Sequence, residues 1–259
     1  MCRLIVPSKK EFVKFNLLGF FSRLHEKGCK SSLSKPLVPL YRRLFEINME
    51  EARLQENEYN SLSAFFTREL KEGARPFEKD EKVLVSPVDA KLSFHKVSEE
   101  AVFVVKGKDY RLSDLFKEEK EYQAYLGGDL LIFYLSPRDY HRIHMPLQAQ
   151  EKRNYTLGSF SYPVNAWGLR YGRDVLTKNY RLVSHFEGTV DFTMVSVGAL
   201  NVNSIVRKEQ GNVRYEKMQE YGYFSFGSTV LLFLPKDSAY FHVGEGSVQA
   251  GMTLGQLRL

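Results

Sequence analysis

A chain of 259 residues with 43% apolar and 14% aromatic side chains is long enough to bury a core and too hydrophobic to be disordered or collagen-like. Two cysteines, Cys2 and Cys29, are too few for a disulfide framework or a cysteine-based metal site, and they point to a reducing compartment. The net charge of +6 sits at one end: residues 1–43 carry ten Lys or Arg and two Glu, a net of +8, which leaves about −2 on residues 44–259.

That basic end implies a polyanionic partner, either nucleic acid or an anionic lipid surface. Leu4-Ile5-Val6 is too short for the apolar core of a secretory signal, and no run reaches the roughly eighteen apolar residues that span a bilayer. In residues 9–25, Phe12, Phe15, Leu18 and Leu24 fall near one helical face among lysines. Such a basic amphipathic helix fits a membrane interface or the protein's own core. Residues 36–53 predict a second helix, with Pro36 or Pro39 near its start. Residues 61–70 predict a third, with Ser61 as N-cap and with Gly73 and Pro76 ending it.

From about residue 82 the pattern shifts to short runs rich in Val, Phe, Tyr and Leu, punctuated by turn residues. The expected fold is α+β and mainly β. N-terminal helices over residues 1–75 precede an antiparallel sandwich or barrel-like body over residues 76–259.

There is no P-loop, G-x-S-x-G elbow, G-x-G-x-x-G or H-E-x-x-H. Three clusters remain. Asp89, in Ser86-Pro87-Val88-Asp89-Ala90, reads alone as a turn aspartate. His141 and His144 lie three apart between Pro137 and Pro146. No Cys or Glu completes a metal site there, so acid–base work suits them better than zinc, and surface histidines remain the plain alternative. Gly227-Ser228-Thr229 interrupts a hydrophobic strand, where a β-bulge is the plain reading. Asp, His and Ser are together the parts of an activated nucleophile, although spacing does not show that they meet.

Taken together these segments resemble the phosphatidylserine decarboxylase family. SPVDAKL resembles its P-A-D-G segment, SPRDYHRIHMP its histidine motif and FGST its L-G-S-T processing site; YNSLSAFFTRELKEGARP and KGKDYRLSDLF also fit. The similarity covers about residue 36 to Val230 and extends toward the end. Ala90 and Phe226 depart from the family's Gly and Leu.

The resemblance implies a zymogen that cuts itself between Gly227 and Ser228 into a large chain 1–227 and a small chain 228–259, which stay associated as a heterodimer that can pair into a dimer of heterodimers. Asp89, His144 and Ser228 would form the charge relay for cleavage. Ser228 would become a covalent pyruvoyl group, the cofactor, which forms a Schiff base with substrate, and His141 would donate the proton. The implied reaction is decarboxylation of phosphatidylserine to phosphatidylethanolamine, with no metal and no nucleic acid. The implied location is peripheral, on an anionic membrane surface at the cytoplasmic face of the cell membrane. A serine hydrolase using the same three residues, and a non-enzymatic membrane or nucleic-acid binding module, are the rival expectations.

Overall fold

The computed structural model describes residues 25–158, 174–198, 205–211, 213–224 and 228–258. The amphipathic stretch 9–25 lies outside these residues except at its last position, where a short helix His25–Lys30 begins. Gly227 and Phe226 also lie outside them.

A 3-10 segment Ser32–Leu37 leads into the helix Val38–Phe45, with Pro39 in the first turn, where its missing N–H removes no bond. The helix expected over 36–53 stops at Phe45. Glu46 turns left-handed at φ 55°, and the Ile47 N–H closes on the Arg42 carbonyl at 3.0 Å. The residues beyond are held elsewhere: Arg53 N–H donates to the Glu69 carbonyl and Lys71 N–H to the Glu51 carbonyl, both at 2.8 Å. That pairing also shortens the third helix to Leu62–Phe66, whose N-cap Ser61 Oγ accepts from Ala64 N–H at 3.1 Å. Tyr41, Phe45, Tyr59, Leu62, Phe65 and Phe66 share an apolar cluster of this N-terminal part.

The body is antiparallel. Its strands are β1 (Val83–Val85), β2 (Ala90–Lys96), β3 (Val102–Val105), β4 (Lys108–Arg111), β5 (Asp129–Leu135), β6 (Arg142–His144), β7 (Ala149–Leu157), β8 (Arg181–Gly188), β9 (Phe192–Gly198), β10 (Ile205–Arg207), β11 (Arg214–Tyr215), β12 (Glu220–Phe224), β13 (Ser228–Leu234), β14 (Ala239–Phe241), β15 (Gly246–Val248) and β16 (Thr253–Leu257). Eight of them form one sheet in the order β11-β7-β8-β9-β13-β5-β2-β15. Two three-stranded sheets, β1-β16-β14 and β10-β12-β6, contribute to the apolar cluster on one of its faces. The sheets keep open edges, so the barrel-like alternative does not hold and layered packing does.

The central strand β13 is buried along its whole length, and alternation splits it between two cores. Val230, Leu232 and Leu234 join the cluster that holds Ile143, Met145, Tyr221 and Phe224. Leu231 and Phe233 join the opposite cluster with Phe103, Leu115 and Val195. Ser228 shares the parity of Val230, which puts its side chain on the face where β6 and β12 pack. Only residues 225–227 separate β12, the partner of β6, from β13 in the large sheet.

Candidate active site

The turn between β1 and β2 presents Asp89. Ser86 Oγ donates to the Val88 carbonyl at 2.8 Å, and backbone bonds tie Ser86 to Met252 and Gly251. Asp89 is buried, and its carboxylate accepts a bidentate fork from Arg75, with Nε at 3.0 Å and Nη2 at 2.5 Å, plus the Ala250 N–H at 2.8 Å. The other side of the Arg75 guanidinium meets Glu51 at 2.9 Å. Ala90 opens β2 without a positive φ, so the family's glycine is not needed there.

The His144 ring lies between two partners. Nδ1 is 2.9 Å from the Met218 carbonyl, which can only accept, so Nδ1 carries the proton and Nε2 the lone pair. Tyr140 hydroxyl donates to that Nε2 at 3.1 Å. Burial lowers the His144 pKa, so the ring is neutral near pH 7, while the nearby Glu220 and Asp89 charges favour its protonated form. The structure thus brings Asp89 and His144 into one electrostatic neighbourhood, and the hydrogen bond that holds the ring comes from Met218.

His141 is fully buried against Phe66, with ring centres 4.0 Å apart. Nδ1 faces the Asp139 carbonyl at 2.8 Å, which fixes the proton on Nδ1. Nε2 is buried with no hydrogen-bond partner among the described residues. Burial, reinforced by the Arg68 charge, pulls its pKa down to about 3. In the unfolded chain the same ring titrates near its ordinary 6.5, so below that pH the unfolded state binds more protons. Stability is therefore complete above about pH 6.5 and falls as the pH drops toward 3, by up to about 1.4 kcal/mol per pH unit from His141. Thermal melts between about pH 7 and about pH 5 check this, and His141→Gln is expected to flatten the slope. An unchanged slope in that variant contradicts it.

Ser228 begins β13, paired with Leu135 of β5 and Gly198 of β9. It is fully buried, and its Oγ has no hydrogen-bond partner among the described residues; nor does Thr229 Oγ1. A hydrolase elbow would expose its serine on a strand-to-helix turn, and this position does the opposite. An orphaned hydroxyl costs about 1–3 kcal/mol in a folded core, so its retention calls for a chemical reason.

Beside Asp89 opens a cavity of about 260 Å³ whose wall includes Arg68, Arg75, Arg138, Asp139 and Tyr140. Sequence reasoning did not single out Arg75, Tyr140, Met218 or Arg68. Tyr140 stands inside the histidine motif and Arg68 and Arg75 inside the SLSAFFTRELKEGARP stretch, so motif extent was the available signal. The Met218 carbonyl carries none.

A family model described as phosphatidylserine decarboxylase matches residues 62–256. The phosphatidylserine decarboxylase proenzyme of Bacillus subtilis (strain 168) is 42% identical over 234 residues, 88% of this chain and 88% of that protein. Those of Bacillus cereus (strain ATCC 10987 / NRS 248) and Bacillus thuringiensis (strain Al Hakam) are each 42% identical over 221 residues, 84% of both chains. With similarity of this extent running through both the histidine strand and the Ser228 strand, the chain belongs to the phosphatidylserine decarboxylase family.

Proposed function

We propose that this decarboxylase proenzyme cuts itself between Gly227 and Ser228, and that the Ser228 so converted is the pyruvoyl group through which phosphatidylserine becomes phosphatidylethanolamine. The observation that carries the assignment is the Ser228 Oγ, buried, without a hydrogen-bond partner among the described residues, on the sheet face that packs against the histidine strand.

Nε2 of His144 takes the proton of Ser228 Oγ, Met218 holds the ring through Nδ1, and the Asp89 charge stabilises the imidazolium. The Gly227 carbonyl carbon passes from nitrogen to Oγ. Loss of the Ser228 α-proton then expels the Gly227 carboxylate, and water replaces the nitrogen, which leaves as ammonia. The residues fit the product: the side chain that must be consumed satisfies no other group among the described residues. When present, the pyruvoyl group supplies a ketone that bonds the headgroup amine and takes up the electron pair left by CO₂.

His141 does the accompanying proton work. Decarboxylation consumes one proton, and His141 Nε2 is placed to pass it from solvent to the carbon that lost CO₂. The small chain 228–259 stays bound, because β13 lies between β5 and β9 while β15 and β16 pair with β2 and β1. Burial of Val230 to Leu234 alone contributes on the order of 10 kcal/mol.

Among the described residues no helix is long and apolar enough to cross a membrane. The excess of basic residues in 1–43 supports peripheral attachment to anionic lipid at the cytoplasmic face, with residues 1–75 as the membrane-associating part and residues 76–259 as the catalytic body. Two such heterodimers can pair. Intact mass decides the central reading: the small chain should begin at residue 228 and be lighter than its serine form by one ammonia. Co-sedimentation with phosphatidylserine vesicles should weaken as salt rises. An uncut, active wild-type chain would sink the assignment.

A further inference from the structure

We infer that Arg68 is the phosphodiester-binding residue of the headgroup site, a proposal that rests on the decarboxylase reading above. Its side chain is 95% buried by position, with a relative exposure of 5%, and it lines the cavity beside Asp89. Nη2 donates to the carbonyls of Arg138 at 2.9 Å and Asp139 at 3.2 Å. Among the described residues Nε and Nη1 have no hydrogen-bond partner, and no carboxylate forms an ion pair with Arg68. A guanidinium in this state has lost its water and gained no anion, which is costly unless a ligand completes it.

The acids around the cavity are already engaged. Arg75 holds Asp89 and reaches Glu51, and Asp139 accepts from Ser136 N–H at 2.6 Å and Ser136 Oγ at 2.8 Å. Glu46 stands in the same wall. Arg138, whose side chain is largely exposed, adds a further cation at the wall.

The position of Arg68 fits the substrate's own dimensions. Arg68 Nη2 and His141 Nδ1 share one acceptor, the Asp139 carbonyl, so the guanidinium lies beside the His141 ring. In the headgroup only an oxygen and one methylene separate phosphorus from the carbon that loses CO₂. A cation adjacent to His141 is therefore placed for the phosphate when that carbon is placed for Nε2. The headgroup carboxylate is the other anion within reach, and chemistry argues against it. Its charge disperses as CO₂ leaves, so a cation there would favour the ground state over the transition state. The phosphodiester keeps its charge throughout and serves as a constant handle.

The test is Arg68→Gln, which removes the charge and keeps a donor for the loop carbonyls. Each sample is first checked for cleavage and for pyruvoyl content by intact mass, so a failure of the decarboxylase reading shows in the wild type before any ligand is added. Binding is then measured with glycerophosphoserine and glycerophosphoethanolamine. Both are expected to weaken on the order of 30-fold in the variant, with KM for phosphatidylserine rising similarly and kcat little changed. Loss of glycerophosphoserine binding alone would assign the carboxylate and overturn the proposal. So would unchanged binding of both probes, or inorganic phosphate competing with wild type as well as glycerophosphoethanolamine does. Should Arg68→Gln fail to mature, a structure of wild-type enzyme with glycerophosphoethanolamine decides. A phosphate oxygen on Arg68 Nε or Nη1 supports the assignment, and phosphate bound elsewhere ends it.

Discussion

Replacing Ser228 with alanine is expected to leave one uncut chain of 259 residues with no decarboxylase activity. In the proposed reaction the hydroxyl oxygen is both the nucleophile that accepts the Gly227 acyl group and the leaving atom of the elimination, so no other group can substitute for it. The fold should survive, since alanine keeps the Cβ and the β13 backbone keeps its pairings with β5 and β9. Deleting a buried hydroxyl that has no partner among the described residues should even relieve about 1–3 kcal/mol, raising the melting temperature. Denaturing electrophoresis, a carbonyl-reactive probe and a thermal melt test this together. Two fragments from the alanine variant would remove Ser228 from the chemistry.

The two histidines are expected to fail at different stages. His144→Ala should slow self-cleavage by about 10²–10⁴-fold, the usual contribution of a positioned base, so freshly folded protein accumulates as precursor. Its Nε2 lone pair has a hydroxyl donor in Tyr140, and its ring is fixed by Met218, an arrangement built for accepting a proton. His141→Gln should cleave and then turn over about 10²–10⁴-fold more slowly, because in the proposed mechanism it is the substrate that Nε2 serves. Cleavage half-times and single-turnover rates on the matured fraction separate the two roles. If both variants stall at cleavage, or both mature and lose turnover alike, the division of labour is wrong.

How far these features can be read without coordinates depends on what surrounds each residue. The runs that became β5, β8, β9 and β13 are legible because they lie in the interior of the large sheet and are apolar nearly throughout. β7 is longer than any of them yet carries no such apolar run. Its sequence AQEKRNYTL hides the alternation, because the inward Glu151 is a charge paired with Arg207 and Tyr221 from distant strands. The helices at 36–53 and 61–70 were overextended for a related reason: residues 51–53 and 69–71 bond to each other, and nothing local to either segment reveals a partner that far along the chain. The candidate site shows the same division. Asp89, His141, His144 and Ser228 stand out because their side chains carry rare chemistry in rare settings. What holds two of them, the Arg75 fork and the Met218 carbonyl, becomes visible only when the backbone is folded.

The Ala250 N–H that grips Asp89, and the bonds from Ser86 to Gly251 and Met252, come from the far side of the proposed cut. The reaction centre is thus co-owned by both products of maturation. Supplying residues 1–227 and a synthetic 228–259 peptide side by side could restore the shape of the pocket, yet the peptide would carry an ordinary amino terminus where a ketone is required. On this proposal the covalent continuity of the newborn chain is itself a reactant, consumed once.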